Sequence, residues 1–203
     1  QDHDLVLRAT EATRRIAHIS KVLYHWRTHA NSTAFDAGSK LGAQTATVKA
    51  VQEHLGRIGR GGVVTPGPFS GSVRVQYHLE DNPLVSIIIP NRDQANLLRR
   101  CLESIRQTTA YRNYEILVVE NDSRQKETFA LYDELGSWDK FRLLTWSKPF
   151  NYAAINNFAA AEAGGKYLLF LNNDVSMIAP DWLDELIGQC QWKENAAVGA
   201  SIA

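Results

Sequence analysis

The sequence predicts an α/β fold organised around a parallel sheet, and three segments carry that prediction: VSIIIPNRD at 85–93, YEILVVENDS at 114–123 and KYLLFLNNDV at 166–175. Each is an unbroken apolar run that closes in polar residues, and stretches of helical period separate them. Runs of this length between helices read as strands buried on both faces of a parallel sheet. Their polar tips then line up along one sheet edge, which is where such sheets bind ligands.

The helices between them follow from apolar spacing. Leu97, Leu98, Cys101, Leu102 and Ile105 make an amphipathic stripe after the first strand, with Asp93 available as its N-cap. Residues 152–163 make a second helix, which Gly164-Gly165 would close as a C-cap. Asp181 opens a third, with Trp182, Leu183, Leu186, Ile187 and Cys190 on its apolar face. Strand alternating with helix implies right-handed crossovers and a parallel sheet. This compact α/β region begins at Asn82-Pro83 and occupies 84–203.

Two regions precede it, together a mixed α/β N-terminal segment. Residues 1–33 contain QDHDLVLRATEA and then HISKVLYHWRTHANST, where alternating Val22, Tyr24 and Trp26 predict a strand. Residues 34–83 read as a connector: a helix over 46–58, a breaker cluster at 59–71, and an alternating strand at 72–79.

Composition bounds the function. The chain has 203 residues, 44% hydrophobic and 22% charged, as in ordinary globular domains. Its 22 Lys and Arg balance its 22 Asp and Glu, which removes any electrostatic case for a nucleic-acid or anionic-membrane partner. No run approaches the roughly 18 apolar residues of a membrane span, and the N-terminus lacks a secretory pattern. Cys101 and Cys190 both fall on predicted apolar stripes, so two buried thiols in a reducing cytoplasm are expected rather than a disulfide. His18, His25 and His29 lack partners at ligand spacing and read as structural. The Asn31-Ser32-Thr33 sequon reads as incidental.

The tips read Pro90-Asn91-Arg92-Asp93, Glu120-Asn121-Asp122-Ser123 and Asn172-Asn173-Asp174, with FNYAAINNFAAAEAGG at 150–165 before the last. In that order they resemble the nucleotide-binding half of the inverting, GT-A-type family 2 glycosyltransferases. That family has a Pro-Thr-Tyr-Asn-like or Pro-Thr-Arg-Asp-like turn, an Asp-Asp-Gly-Ser-like turn and an Asp-X-Asp-like metal motif in the same sequence. The N-terminal QDHDL, followed by a segment ending near Tyr-Arg-X-His, resembles the closing part of another such domain. The resemblance implies a Rossmann-like GT-A half-domain at 84–203 behind the tail of a preceding transferase domain. On this reading the chain is an excised piece of a tandem protein, and the base of the 84–203 domain lies beyond Ala203. Little or no transfer is then expected from the piece alone.

The implied activity is transfer of a sugar from a nucleotide-diphosphate donor to a saccharide or lipid-linked saccharide acceptor, in bacterial surface polysaccharide or O-antigen synthesis. The implied location is the cytoplasm, with peripheral association at the inner membrane as an option. Negative charge develops on the leaving diphosphate, so a cation and nearby donors must neutralise it. Asp174 is the candidate ligand for Mg2+ or Mn2+, with Asn172 as a neutral or water-mediated contributor. Pro90 and Asp93 would flank the nucleobase, and Glu120 with Asn121 would accept from base or ribose. Asn156, Asn157, Lys166 and Asn173 are looser donor-site candidates. Asp2 falls where the family places its catalytic base.

Structural readings stand beside these. Asp174 can cap the following turn, and Glu120 and Asp93 can be plain turn or cap residues. Asn156 and Asn157 can serve the local backbone, and Asp2 can be a solvated carboxylate. A non-catalytic nucleotide-sugar-binding module is the alternative function. A nucleotidyltransferase fits less well, because no Gly-rich basic loop follows the first strand.

Overall fold

The computed structural model describes residues 2–25, 37–69 and 71–200. They form two compact units that divide between His78 and Leu79, close to the start of the α/β region expected at Asn82-Pro83.

In the N-terminal unit, α1 (Asp2–Ala12) and α2 (Ala37–Arg57) accompany an antiparallel hairpin of β1 (Gly62–Pro66) and β2 (Val73–Tyr77). Val51 and Leu55 of α2 bury against Val64 of β1, with Leu7, Val73, Val75 and Tyr77 around them. An isolated two-stranded ribbon is marginal in water, so this helix face is what holds it. Two glutamines eight apart on α2 reinforce the seam. The Gln52 amide donates to Gly62 O (3.0 Å) and accepts from Val64 N (3.0 Å), and Gln44 does the same for Ser72 O and Gly71 N (both 2.7 Å). Glu11 of α1 takes Arg57 (2.8 Å) and His54 (2.6 Å) of α2.

This unit differs from the sequence reading in three respects, the first being that α2 starts at Ala37 rather than at 46. The stretch 59–71 contains strand β1, and the positive φ of Gly59 (71°) and Gly71 (81°) flanks it. Val22 and Tyr24 lie in irregular, exposed chain rather than in a strand. Trp26, His29 and the Asn31-Ser32-Thr33 sequon lie outside the described residues.

The C-terminal unit is α/β, with a four-stranded parallel sheet in the order β5-β4-β3-β6. In chain order it runs β3 (Val85–Asn91), α3 (Ala95–Thr108), β4 (Tyr114–Glu120), α4 (Lys126–Leu135), β5 (Phe141–Thr145), α5 (Tyr152–Glu162), β6 (Tyr167–Phe170) and α6 (Trp182–Cys190). The period of two sorts the strand residues. Val85, Ile87, Ile89, Ile116 and Val118 face a core shared with α3, α4 and α6, while Ile88, Leu117 and Val119 face α5. Ile87, Ile88 and Ile89 are all fully buried. Each such side chain contributes about 1.5–3 kcal/mol over an exposed one.

The central strands β3 and β4 are buried on both faces as expected, but β6 is not. Among the described residues it pairs with β3 alone, and Leu168 (42%) and Phe170 (46%) stand exposed on one face. One α/β pair, α4 and β5, goes beyond the sequence reading, although Thr128, Leu131, Tyr132 and Leu135 carry helical spacing.

Caps also differ. Gln94, not Asp93, precedes α3, in a left-handed conformation (φ 55°) and without a side-chain cap bond. Asp181 precedes α6 but makes no cap bond either. Helix α5 ends at Glu162, before Gly164-Gly165. Those glycines serve close approach: Gly164 N donates to Glu115 Oε1 (2.7 Å) and Gly165 N to Ser86 Oγ (2.8 Å). Cys101 is buried and Cys190 only partly so; both are free thiols.

Candidate functional site

The chain walks from β3 outward through β4 to β5 and then returns across the sheet, so that β6 lies on the other side of β3. The order reverses between β3 and β4 on one side and β6 on the other, and ligands of open α/β sheets bind beside the carboxyl ends of strands at such a point. The tips of β3, β4 and β6 share that edge because the strands are parallel and in register, Asn91 opposite Glu120 and Ile88 opposite Phe170. Pro90 is tolerated here for a geometric reason. Ile88 O accepts from Leu171 N at the end of the β3–β6 ladder, so Pro90, two residues on, turns its missing N–H toward the side where pairing has stopped.

A directed hydrogen-bond network joins the tips. Asn173 Nδ2 donates to Asn91 Oδ1 (2.7 Å) across the gap between β6 and β3. Asn91 Nδ2 donates to the Tyr132 hydroxyl (2.8 Å) and to Asp93 O (3.0 Å). Tyr132, on α4, donates to Glu120 Oε2 (2.7 Å). Ser123 closes the turn, giving its N–H to Glu120 Oε1 (2.5 Å) and its hydroxyl to Oε2 (2.6 Å), and accepting from Asp93 N (2.7 Å). Burial pushes the Tyr132 phenol well above its ordinary range; the Asn91 donor opposes this and the Glu120 carboxylate adds to it.

The alternation of β4 explains the place of Glu120. Ile116 and Val118 face α4, so Glu120 does too; it is only 6% exposed, with both oxygens spent on Ser123 and Tyr132. Asn121 points the other way and is 3% exposed, donating to Trp146 O (3.2 Å) and Lys148 O (3.3 Å). Asp93 Oδ1 accepts from Arg124 N (2.7 Å) and Gln125 N (2.9 Å) at the start of α4. Those two backbone N–H groups, Gln125 foremost, hold its carboxyl below the usual range. Asp93, Gln94 and Asp122 have positive φ (53°, 55° and 59°) and are the non-glycine residues that do so among those described. Such backbone concentrates at ligand sites. Asp122 pairs with Arg92 (3.2 Å) and Arg124 (3.4 Å), which places two guanidinium groups at this edge.

Asp174 sits in the turn after β6, exposed, and no hydrogen bond or ion pair engages its carboxylate among the described residues. It lies close enough to Cys101 that its charge, after burial itself, helps push that thiol up to about 11. Asn172 is exposed, and its carbonyl accepts from Cys101 Sγ (3.8 Å). Asn156 is buried in α5. It donates to Tyr152 O (2.9 Å), and its Oδ1 has no partner among the described residues; Asn157 is exposed.

Lys166 is set apart from the tips. It precedes β6, at the opposite end of the strand, and pairs with Asp81 (3.7 Å). Asp2 belongs to the N-terminal unit, in the first turn of α1, and is exposed. Tyr132 is a site residue that motif reading alone passes over, while Ser123, already part of the second tip, gains its bonding role only from the structure. The signal for Tyr132 is its place on the buried stripe of α4, and it becomes readable only once α4 is known to cover the face that Asn91 and Glu120 share.

No group of three or more His, Cys, Asp or Glu that could hold a metal occurs among the described residues. The tip residues fit a different mode. A Mg2+-like cation keeps several waters and takes one or two carboxylates plus substrate phosphates, and Asp174 offers an unspent carboxylate beside the Asn172 amide.

Known proteins resemble this chain to different extents. The chain is 46% identical over its whole length to the O-antigen biosynthesis protein RfbC of Myxococcus xanthus, spanning 16% of that protein. It is 42% identical, again over its whole length, to the uncharacterized protein y4gI of Sinorhizobium fredii, spanning 23% of it. The mannosyltransferase PcManGT of Pyrobaculum calidifontis, solved with GDP-Man and Mn2+, superposes with a TM-score of 0.49 at 19% identity, over 75% of this chain and 42% of that one. The sequence profile of glycosyl transferase family 2 matches residues 86–203, the stretch that carries every tip and the strands behind them. With the three polar tips in the family's order on one sheet edge, the chain belongs to glycosyl transferase family 2.

Proposed function

We propose that residues 84–203 form the donor-binding part of an inverting glycosyltransferase. It transfers a sugar from a nucleotide diphosphate to a saccharide or lipid-linked saccharide acceptor in surface polysaccharide or O-antigen synthesis. The observation that carries this reading is the bridged edge: family-type tips of β3, β4 and β6 tied through Asn91, Tyr132 and Asn173. The name of the Myxococcus relative, which this chain matches over the whole of its own length and 16% of that protein's, supports the polysaccharide context.

In this reading Asp174, with Asn172, would hold a Mg2+ or Mn2+, which when bound would supply positive charge to offset that of the leaving diphosphate. The backbone turns around Pro90, Asp93 and Asn121 flank the nucleobase and ribose, with Arg92 and Arg124 at the rim. Asn156 and Asn157, on α5 beside the sheet, remain donor-side candidates. Lys166 enters only by contacts outside the tips. Asp2 is the candidate base of a site built by the N-terminal region, and loss of acceptor-dependent transfer by the parent protein on Asp2→Asn would be its signature. Among the described residues no helix is long and apolar enough to cross a membrane; a cytoplasmic protein peripheral to the inner membrane is the location we propose. The second reading, binding without turnover, is favoured by the neutral Asn172 in a metal motif.

Titration of UDP, GDP and dTDP by calorimetry, with and without Mn2+, tests the reading. Binding of one of them that strengthens with Mn2+ is expected; no binding of any would overturn it.

A further inference from the structure

The network that joins the strand tips has a fixed direction. Here the orientation of every group is dictated by its neighbour. The Asp93 carbonyl can only accept, so the Asn91 atom beside it (3.0 Å) is Nδ2. The same Nδ2 then gives its second hydrogen to Tyr132 (2.8 Å), and the Tyr132 hydroxyl, having accepted, donates to Glu120 (2.7 Å). Asn91 Oδ1 is thereby turned to the β6 side, where Asn173 must present Nδ2 to it (2.7 Å). That leaves Asn173 Oδ1 as the acceptor not spent on the bridge, next in sequence to Asp174. Asn91 (3%) and Glu120 (6%) are nearly closed to solvent, so water does not compete for these bonds as it would at a surface.

We infer that Tyr132 is a positioning residue for the cation-bearing tip: its hydroxyl relays the fixed orientation of Glu120 through Asn91 to Asn173, and so sets where Asp174 stands relative to the tips of β3 and β4. The inference rests on the donor-binding reading above for its consequence, but not for its geometry. Burial contributes the reason a tyrosine is needed. The hydroxyl is the one group on α4 that both accepts from Asn91 and donates to Glu120, whereas its ring packs edge-on to Phe129 (6.1 Å, 88°), a contact that phenylalanine keeps.

Tyr132→Phe in the whole chain is the test, with two readouts. Amide hydrogen exchange at residues 172–175 of the ligand-free protein should rise about fivefold to tenfold, the factor that corresponds to losing one buried hydrogen bond. The Mn2+-supported affinity for UDP or GDP should fall by a similar factor, while affinity without Mn2+ stays within about twofold. Asn173→Ala should give the same Mn2+-specific loss, and the double variant should lose no more than either single one, because both break one chain. If Tyr132→Phe did not fold, Asn91→Ala would take its place in the same cycle with Asn173→Ala, since it leaves Tyr132 and Glu120 paired and cuts the relay between them and Asn173. Unchanged exchange at 172–175, or additive losses, would overturn the relay. Absence of nucleotide binding by the unaltered protein would instead count against the donor-binding reading, and the exchange measurement would still decide the relay.

Discussion

At the scale of single residues, the charges at the sheet edge divide into spent and unspent. Glu120 and Asp93 are acceptors whose bonds are made inside the fold, whereas Asp174 is held by no partner among the described residues. A cation with few protein ligands depends on each charged one. Asp174→Ala should therefore abolish the Mn2+-dependent part of nucleotide diphosphate binding, and Asn172→Ala should only weaken it. Equal affinities for the Asp174 variant and the unaltered chain in the same titration would overturn the metal role proposed for Asp174. Asp93 offers a pH test. The N–H groups of Gln125 and Arg124 lower its folded pKa, so its stabilisation is present above the ordinary carboxylate range and is lost as pH falls through the lowered folded value. Asp93→Ala should lower Tm at neutral pH and flatten that acid-side loss. Asp93→Asn, which keeps the acceptor at the start of α4, should lower Tm less.

At the scale of elements, the entry into β6 shows why a Gly-Gly pair sits where a helix cap would be expected. A Cβ on Gly165 would lie 2.6 Å from Ser86 N and 2.9 Å from Tyr167 O, both backbone atoms. On Gly164 it would meet nothing closer than 3.4 Å. Gly165→Ala must push β6 from β3, and a cost of about 1–3 kcal/mol is expected in urea unfolding, as for other overpacked sites. Gly164→Ala should be close to neutral. Glu115 binds this corner together: burial alone would raise its pKa, but Ser86, Gly164 N and Arg142 outweigh that and keep it lowered. A similar cost for both alanine variants would mean that helix termination, rather than close approach, selects the pair.

At the scale of the whole molecule, the two units rest on different physics. The C-terminal unit has a buried sheet with helices on both faces, whereas the N-terminal unit has a small apolar seam and a cluster of ions around Glu11, Arg57 and His54. The Arg57 and His54 hydrogen bonds lower the Glu11 pKa from 4.5 to about 2. Because the folded value is depressed, the stabilisation is complete above the unfolded value and disappears as pH falls from about 4.5 to about 2. Protection of the α2 amides, each rate taken relative to that of the unfolded chain at the same pH, should fall across that window while protection in β3 and β4 does not, and Glu11→Gln should remove the difference. Loss of protection in both units in step would show that acid does not act through this cluster.

The sequence by itself determined three of the four parallel strands, β3, β4 and β6, and the edge at which their polar tips lie. Unbroken apolar runs in β3 and β4 can be satisfied only by burial on both faces, and parallel strands must present their ends together, so the tips at Asp93, Glu120 and Asp174 were legible from pattern alone. The helices α3, α5 and α6 were legible for the same reason of period. What the tertiary structure decided is which way each polar side chain turns. Strand parity sends Glu120 under α4 and Asn121 toward Trp146, a choice that needs the register and the covering helix. It decided that Asp93 serves the start of α4, 31 and 32 residues away, rather than its own helix, because the turn at Ser123 brings that N-terminus to it. It placed Lys166 at the far end of β6 and found Tyr132, whose role exists only where two strands and a helix meet. Local pattern fixes period and therefore burial; the partners of a buried polar group come from distant parts of the chain, and no local pattern encodes them.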